Sequence, residues 1–284
     1  MVNSNDIYEK ENRTGMLKIQ YAARKCFNNA ECLNYCAWIA CMVATFSIIL
    51  PNNLPIYIVY GIPFLADIFA AIFSFFCDRE VEWASKLRQY FDYTVLDIAN
   101  GELLENEIRS VKERAEYIYN KNVQEANIQM ANNGNGFPPG VKDWYVFKTY
   151  KEGLLVKFEC QKQNFWWNKK MTSKRIVVNI IGGIFLIISM VLLCKYNGYL
   201  KTFLCSAGII LKICERVYAN WQYSKVSNKI EGSLLTIENN LSEQGIETLQ
   251  QLIDEQRSIN VLEIGLLHKK MAKKLTKLYD RIAE

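Results

Sequence analysis

Trp166 and Trp167 stand directly before a basic cluster, Lys169, Lys170, Lys174 and Arg175, and that cluster precedes an uncharged apolar run. Two chemistries use such a pattern. Tryptophan beside lysine and arginine anchors a helix at a membrane surface and meets anionic lipid headgroups. The same residue types stack on bases and pair with the phosphates of a small anionic ligand. The residues alone weigh toward the first. A second chemically able set lies within the apolar stretches: Asp67, Asn179, Lys212 and Glu215. An ionisable group in a membrane is costly, and it marks a water-lined path or a pairing inside a bundle. Asp67 lines a pore, pairs with Lys212, or is hydrogen-bonded near the inner interface; the last weighs slightly more.

Catalysis and metal binding have little to stand on. The chain has one histidine, His268, and neither a CxxC pair nor a GxSxG turn. The loop from Asn132 to Gly140 is rich in glycine but lacks phosphate-loop spacing and a following Lys-Ser/Thr. Most of the nine cysteines lie in or beside apolar stretches, where Cys acts as a small hydrophobe, so reduced thiols are expected. A net charge of +5 is too small and scattered for a DNA or RNA duplex. The opening residues are polar, so no signal peptide is expected. These features argue against an enzyme.

The elements that must position these residues follow from hydropathy. Leu33–Leu50 and Leu54–Cys77 are apolar stretches broken by Pro51, and Ile176–Cys194 and Tyr199–Tyr218 form a second pair. Three have the roughly 20 apolar residues that a crossing helix needs. The fourth carries Lys201, Lys212 and Glu215, and spans only if these reach an interface or a partner. Basic residues gather on one side of the stretches, with only Lys195 and Lys201 on the other, which places both termini in the cytoplasm. The expected fold is an all-α membrane protein with four transmembrane helices in two hairpins. Residues 1–32 form a cytosolic or interfacial helix, 33–77 the first hairpin, and 78–175 a helical cytosolic domain. The second hairpin is 176–218, and 219–284 are C-terminal cytosolic helices.

Finer expectations follow from periodicity. Met16–Ala30 is helical, lying on the membrane surface or packed on the cytosolic domain, with both readings open. Glu80–Ile98 and Leu103–Ala126 are two helices, and a long helix begins near Tyr150 and runs into the third span. In the tail, Gly245–Arg257 is one helix, and Asn260 with Glu263 caps another. Its seam is Leu262, Leu266, Met271, Leu275, Leu278 and Ile282.

Several short patterns occur in one order along nearly the whole chain: Asn5-Asp6-Ile7, Ala22-Ala23-Arg24-Lys25-Cys26-Phe27, Phe91-Asp92, Asp143-Trp144-Tyr145, Cys160-Gln161-x-x-Asn164-x-x-Trp167-Asn168 and Gln251-x-Ile253-x-x-x-Arg257. With the membrane layout, the chain resembles the SMODS-associated four-transmembrane effector family. It departs from that pattern at Asn168, where the family has Asp, and at Gln163, where Arg is usual.

The resemblance implies a pore-forming effector of bacterial antiphage signalling of the CBASS type, in the bacterial inner membrane. Its partner is a cyclic-nucleotide synthase, and its ligand is a cyclic di- or trinucleotide that opens or restrains it. No cofactor or metal is implied. Such a ligand would stack on Phe91, Trp144, Tyr145, Trp166 and Trp167. Its phosphates would meet Arg88, Lys169, Lys170 and Arg175, and Gln161 and Asn164, one turn apart, would read base edges. Four mainly apolar spans cannot line a wide channel alone, so a tetramer or larger homo-oligomer is expected. A scaffold recruiting a protein partner through the C-terminal helices is the alternative. A transporter is weaker, with no internal repeat to support alternating access.

Overall fold

The computed structural model describes residues 2–51, 54–98, 103–147, 149–197 and 199–262, and every regular element among them is helical. Helix α1 is Ser4–Glu11, α2 is Thr14–Phe46 with a 3-10 turn at Ser47–Ile49, and α3 is Ile56–Leu96. Helices α4 (Glu105–Lys121) and α5 (Val123–Ala131) follow, then α6 (Gly153–Asn197), α7 (Tyr199–Asn239) and α8 (Glu243–Ser258).

Helices α2 and α3 form an apolar hairpin, and their other ends join α6 and α7 in one core. Along α2 and α3 the facing positions are small: Ala37, Cys41 and Ala44 on one helix, Ala66 and Ala70 on the other, all buried. Small facing residues let helix backbones approach where no hydrophobic force drives them together. The large residues of the same helices, among them Ile39, Phe46, Phe64 and Phe69, point outward. An outside of this kind is stable under lipid and not in water. Helix α2 with its 3-10 turn, and α3, are each long and apolar enough to cross a membrane. Helix α6 holds a shorter apolar stretch, Ile180–Leu193.

The head is one apolar core. It draws Ile7 from α1, Tyr21 and Cys26 from α2, Leu87 and Phe91 from α3, Val156 from α6, Ile230 from α7 and Leu249 from α8. Helix α3 has 41 residues, so it is roughly 60 Å long, about twice the thickness of a bilayer core. Its far half is therefore free to build the head.

Several expectations change here. The helix expected to begin at Glu80 is the continuation of α3, because no breaker follows Cys77 and Val81, Ala84, Leu87, Phe91 and Val95 keep one buried face. Asp97, at φ 54°, ends it. The segment Met16–Ala30 belongs to α2 and packs on the head, since Tyr21, Ala22, Ala23 and Cys26 are core residues. The helix expected over Leu103–Ala126 is two, separated at Asn122, whose side chain donates to the Ile118 carbonyl at 2.9 Å. Helix α6 begins at Gly153, three residues past Tyr150, because the preceding residues pair with the N-terminus: Ser4 N–H donates to Lys151 O at 3.0 Å, and Gly153 N–H to Val2 O at 2.7 Å. Helix α8 matches its expected position, capped by the Ser242 hydroxyl. Of the second tail helix, expected after Asn260, Val261 and Leu262 are described and are not helical, and the rest lies outside the described residues.

Candidate functional site

Four elements meet around Asp92. On α3, Arg88, Phe91 and Asp92 share a face at three- and four-residue spacing. On α8, Gln250, Asp254 and Arg257 repeat that spacing and point the same way as core residues Leu249 and Ile253. Helix α6 supplies Gln161 and Asn164, and the loop before it supplies Trp144 and Tyr145.

The Asp92 carboxylate is 1% exposed and accepts four hydrogen bonds. Arg257 donates at 2.6 Å, the Tyr145 hydroxyl at 2.9 Å, Gln250 at 3.3 Å and Asn164 at 3.4 Å. Burial opposes the charge on Arg257, but Asp92 and Asp254 outweigh it and hold the guanidinium protonated. Burial and the Asp92 charge both raise Tyr145 well above a phenol's ordinary value, so its hydroxyl stays a donor. Gln161 donates to Gln250 at 3.1 Å and to the Ile246 carbonyl at 3.0 Å. This network ties α3, α6 and α8 together inside the head.

Arg88 sits at its edge. The guanidinium lies 4.0 Å from the centroid of the Trp144 ring, and Trp144 donates to Asn164 at 3.3 Å. Among the described contacts no carboxylate pairs with Arg88. Burial, with the positive charge of Arg257 next, lowers its pKa to about 9; the Asp92 charge opposes this. Arg24 also contributes positive field at Arg88 and is itself held by backbone carbonyls of the loop, Pro139 at 2.6 Å and Gly140 at 2.8 Å.

The loop carrying Trp144 is pinned from α1. Asp143 has φ 54°, a conformation that Asn and Asp tolerate better than other side chains. Asn12 donates to its carboxylate and accepts from its N–H, each at 3.1 Å. Glu11 accepts from Tyr145 N–H at 3.0 Å. Burial pushes the Glu11 carboxyl up to about 8, against the Tyr145 N–H and with help from Asp143. The folded state then keeps a proton that the unfolded chain releases near 4.5, so stability falls as pH rises from about 4.5 to about 8. Glu11→Gln is expected to flatten that part of a Tm-against-pH series; equal slopes in the two proteins would contradict this.

Arg88, Phe91, Trp144, Tyr145, Gln161 and Asn164 are thus brought together. Phe91, Tyr145, Gln161 and Asn164 are buried and spent on each other or on the core, which leaves Arg88 and Trp144 as the partly buried members. Lys169 is elsewhere, paired with Glu231 of α7 at 2.7 Å. Trp166 and Lys170 lie beside it along α6. The side chains of Trp167, Arg175 and Asn179 are outside the described set. In the apolar part, Asp67 rests on Gly208, where a Cβ would meet its Oδ1 at 2.1 Å. Lys212 instead donates to Ser74 at 2.8 Å and pairs with Glu215 at 3.0 Å. A groove of 550 Å³ between α3 and α8 is walled by Asp78, Glu82, Asp254 and Glu255, the wrong sign for an anion.

Asp92, Gln250, Arg257, Glu11 and Arg24 were not among the candidates named from sequence. The signal for α8 was present, as polar residues recurring on its apolar seam. The motifs themselves are what the hub is made of: Phe91-Asp92, Asp143-Trp144-Tyr145, Gln161 with Asn164, and Arg257 all meet in it. A family model for the SMODS-associating 4TM effector domain matches residues 5–261, all but the ends of the described chain. The chain belongs to this family. It is therefore a membrane effector associated with CBASS defence. Within this member of the family, the matched segment takes in the apolar α2–α3 hairpin and the hub alike. Comparison with curated proteins and with solved structures returns no match.

Proposed function

We propose that the protein is a four-span, inner-membrane effector gated by a cyclic oligonucleotide bound at the Arg88–Trp144 edge of the hub. The observation that carries this reading is Arg88 itself. A partly buried guanidinium that pairs with no carboxylate among the described contacts is costly to keep. Stacked on an indole, it presents its donors to a planar, doubly or triply charged ligand. Arg24 adds positive field, and Trp144 offers a stacking face. A ligand here touches α3 and the loop leading into α6, and both helices continue into the apolar hairpins. Binding shifts the membrane part only through a difference in affinity between two arrangements, and the hub is where those helices are coupled. The termini and head are cytosolic, where a partner synthase releases its product, and several copies assemble to open the membrane.

The test is a thermal-shift screen of the full-length, detergent-solubilised protein against cyclic di- and trinucleotides. One member at 100 times its dissociation constant is expected to add about 2.7 kcal/mol of apparent stability. Arg88→Gln is expected to lose the shift while its ligand-free Tm stays within a few degrees of wild type. No shift with any member contradicts the reading.

A further inference from the structure

We propose that the outward face of α7, where it enters the head, is a binding site for an anionic phospholipid of the leaflet on the head side. Lys225 and Tyr218 hold the phosphate, and Trp221 sits at the glycerol region.

The level of the bilayer surface is marked on three helices at once. Arg216 of α7 donates to the side chain of Asn34, where the apolar stretch of α2 begins, and to the Asn260 carbonyl at 3.3 Å. Asn260 in turn donates to Asp78, the first residue past the apolar stretch of α3. Across that level the outward face of α7 changes in steps of three and four residues. Leu211 and Cys214 are followed by Tyr218 and Trp221, 57% and 59% exposed, and then by Lys225, also exposed. Positions so spaced share one stripe. A phospholipid runs in the same order, from acyl chain through glycerol ester to phosphate.

Depth fits as well. From Arg216, Trp221 lies roughly 7 Å and the Lys225 backbone roughly 13 Å further toward the head, against a polar layer of roughly 5–8 Å in each leaflet. Side chains on a helix lean toward its N-terminus, which on α7 is the membrane side. Lys225 does so: its ammonium lies 5.6 Å from the centroid of the Trp221 ring, at headgroup depth. The Tyr218 and Trp221 rings are 6.0 Å apart. Gln222 donates to the Tyr218 oxygen at 2.7 Å, which leaves the phenolic proton for an outside acceptor. Tyrosine and tryptophan settle at this boundary, and a lysine beside them attracts anionic headgroups.

Charge selects the anionic lipid. Among the described contacts Lys225 pairs with no carboxylate, and Glu215, one turn from Tyr218, is paired with Lys212 at 3.0 Å. Helices α6 and α7 run antiparallel, with Lys162 against Glu238 and Lys169 against Glu231. That register brings the backbone of Lys174 and Arg175 level with Lys225. The other indole–lysine pair at this depth, Trp83 with Lys86 on α3, is not equivalent, because Lys86 is paired with Glu82 at 2.8 Å.

The full-length protein in detergent is titrated with phosphatidylglycerol and, separately, with phosphatidylcholine of the same acyl chains, and Tm is read. Phosphatidylglycerol is expected to raise Tm at a several-fold lower concentration. Lys225→Gln is expected to need roughly fivefold more phosphatidylglycerol for the same rise, as fits one basic residue near an anionic headgroup. Its lipid-free Tm should match wild type, since the side chain is exposed. Lys229→Gln removes a lysine one turn deeper in the head, 3.9 Å from Glu255, and is expected to titrate like wild type. Equal responses of wild type to the two lipids, a Lys225→Gln titration equal to wild type, or equal losses in both lysine variants would overturn the site; the last outcome would mean diffuse attraction to a basic surface.

Discussion

Asp92→Ala is expected to cost about 3–5 kcal/mol of stability, the range for breaking a buried charge pair by removing one partner. The loss is large because Asp92 is 1% exposed and Arg257, 2.6 Å away, is left with only the more distant Asp254 at 3.6 Å. Tyr145, Gln250 and Asn164 lose an acceptor at the same time. Arg257→Ala is expected to be similarly severe, since it leaves the carboxylate buried without its cation. The double variant should lose much less than the sum of the two singles, because each single already removes the pair. Asp92→Asn, which keeps the shape and one acceptor oxygen, should fall between. Tm and urea midpoints in detergent measure this cycle; additive losses, or an Asp92→Ala loss below about 1 kcal/mol, would contradict the hub as the head's organising contact.

The second large effect is expected at Gly140. A Cβ there would lie 1.7 Å from the Asn132 carbonyl oxygen and 2.5 Å from that of Gln129. Both are backbone atoms, so the loop itself must move, at a cost of about 1–3 kcal/mol or more. The move also removes the Gly140 and Pro139 carbonyls from Arg24, which holds the loop ahead of Trp144. Gly140→Ala should therefore lower Tm and weaken the nucleotide response together. Gly134→Ala in the same loop, with nothing within 4 Å, should do neither. Proteolysis of the 132–140 loop, read alongside Tm, checks the pair: equal behaviour of the two variants would contradict the loop's role as a clamp.

Much of the architecture was legible in the sequence because hydropathy and helical period act locally. The two apolar pairs, the buried face Val81–Ala84–Leu87–Phe91 and the α8 helix all follow from spacing. What was not legible is continuity. Nothing in the periodicity of Glu80–Val95 says whether it starts a new helix or extends the span before it; the lack of a breaker after Cys77 decides it. The exact start of α6 is set by the N-terminus, far away in sequence. The site was half legible for the same reason. Trp144, Arg88, Gln161 and Asn164 have the right chemistry, and they do converge. Whether an amide faces a ligand or a buried carboxylate depends on which partner the fold brings, and here Asp92 and Gln250 occupy Asn164 and Gln161. The lysine-rich run after Trp167 looked like one cluster with them, yet Lys169 lies further along α6 and spends its charge on Glu231.

The central claim is that Arg88 and Trp144 receive a cyclic oligonucleotide. It is tested most directly by equilibrium binding of the cyclic di- and trinucleotide panel to the full-length wild-type protein, Arg88→Gln and Trp144→Ala. The expected result is that one nucleotide binds wild type and loses roughly tenfold or more in affinity in Arg88→Gln, as fits the loss of a charge-assisted contact. Trp144→Ala should lose less, by the stacking contribution alone. Binding of equal strength to wild type and Arg88→Gln, or no binding of any member to wild type, would contradict it.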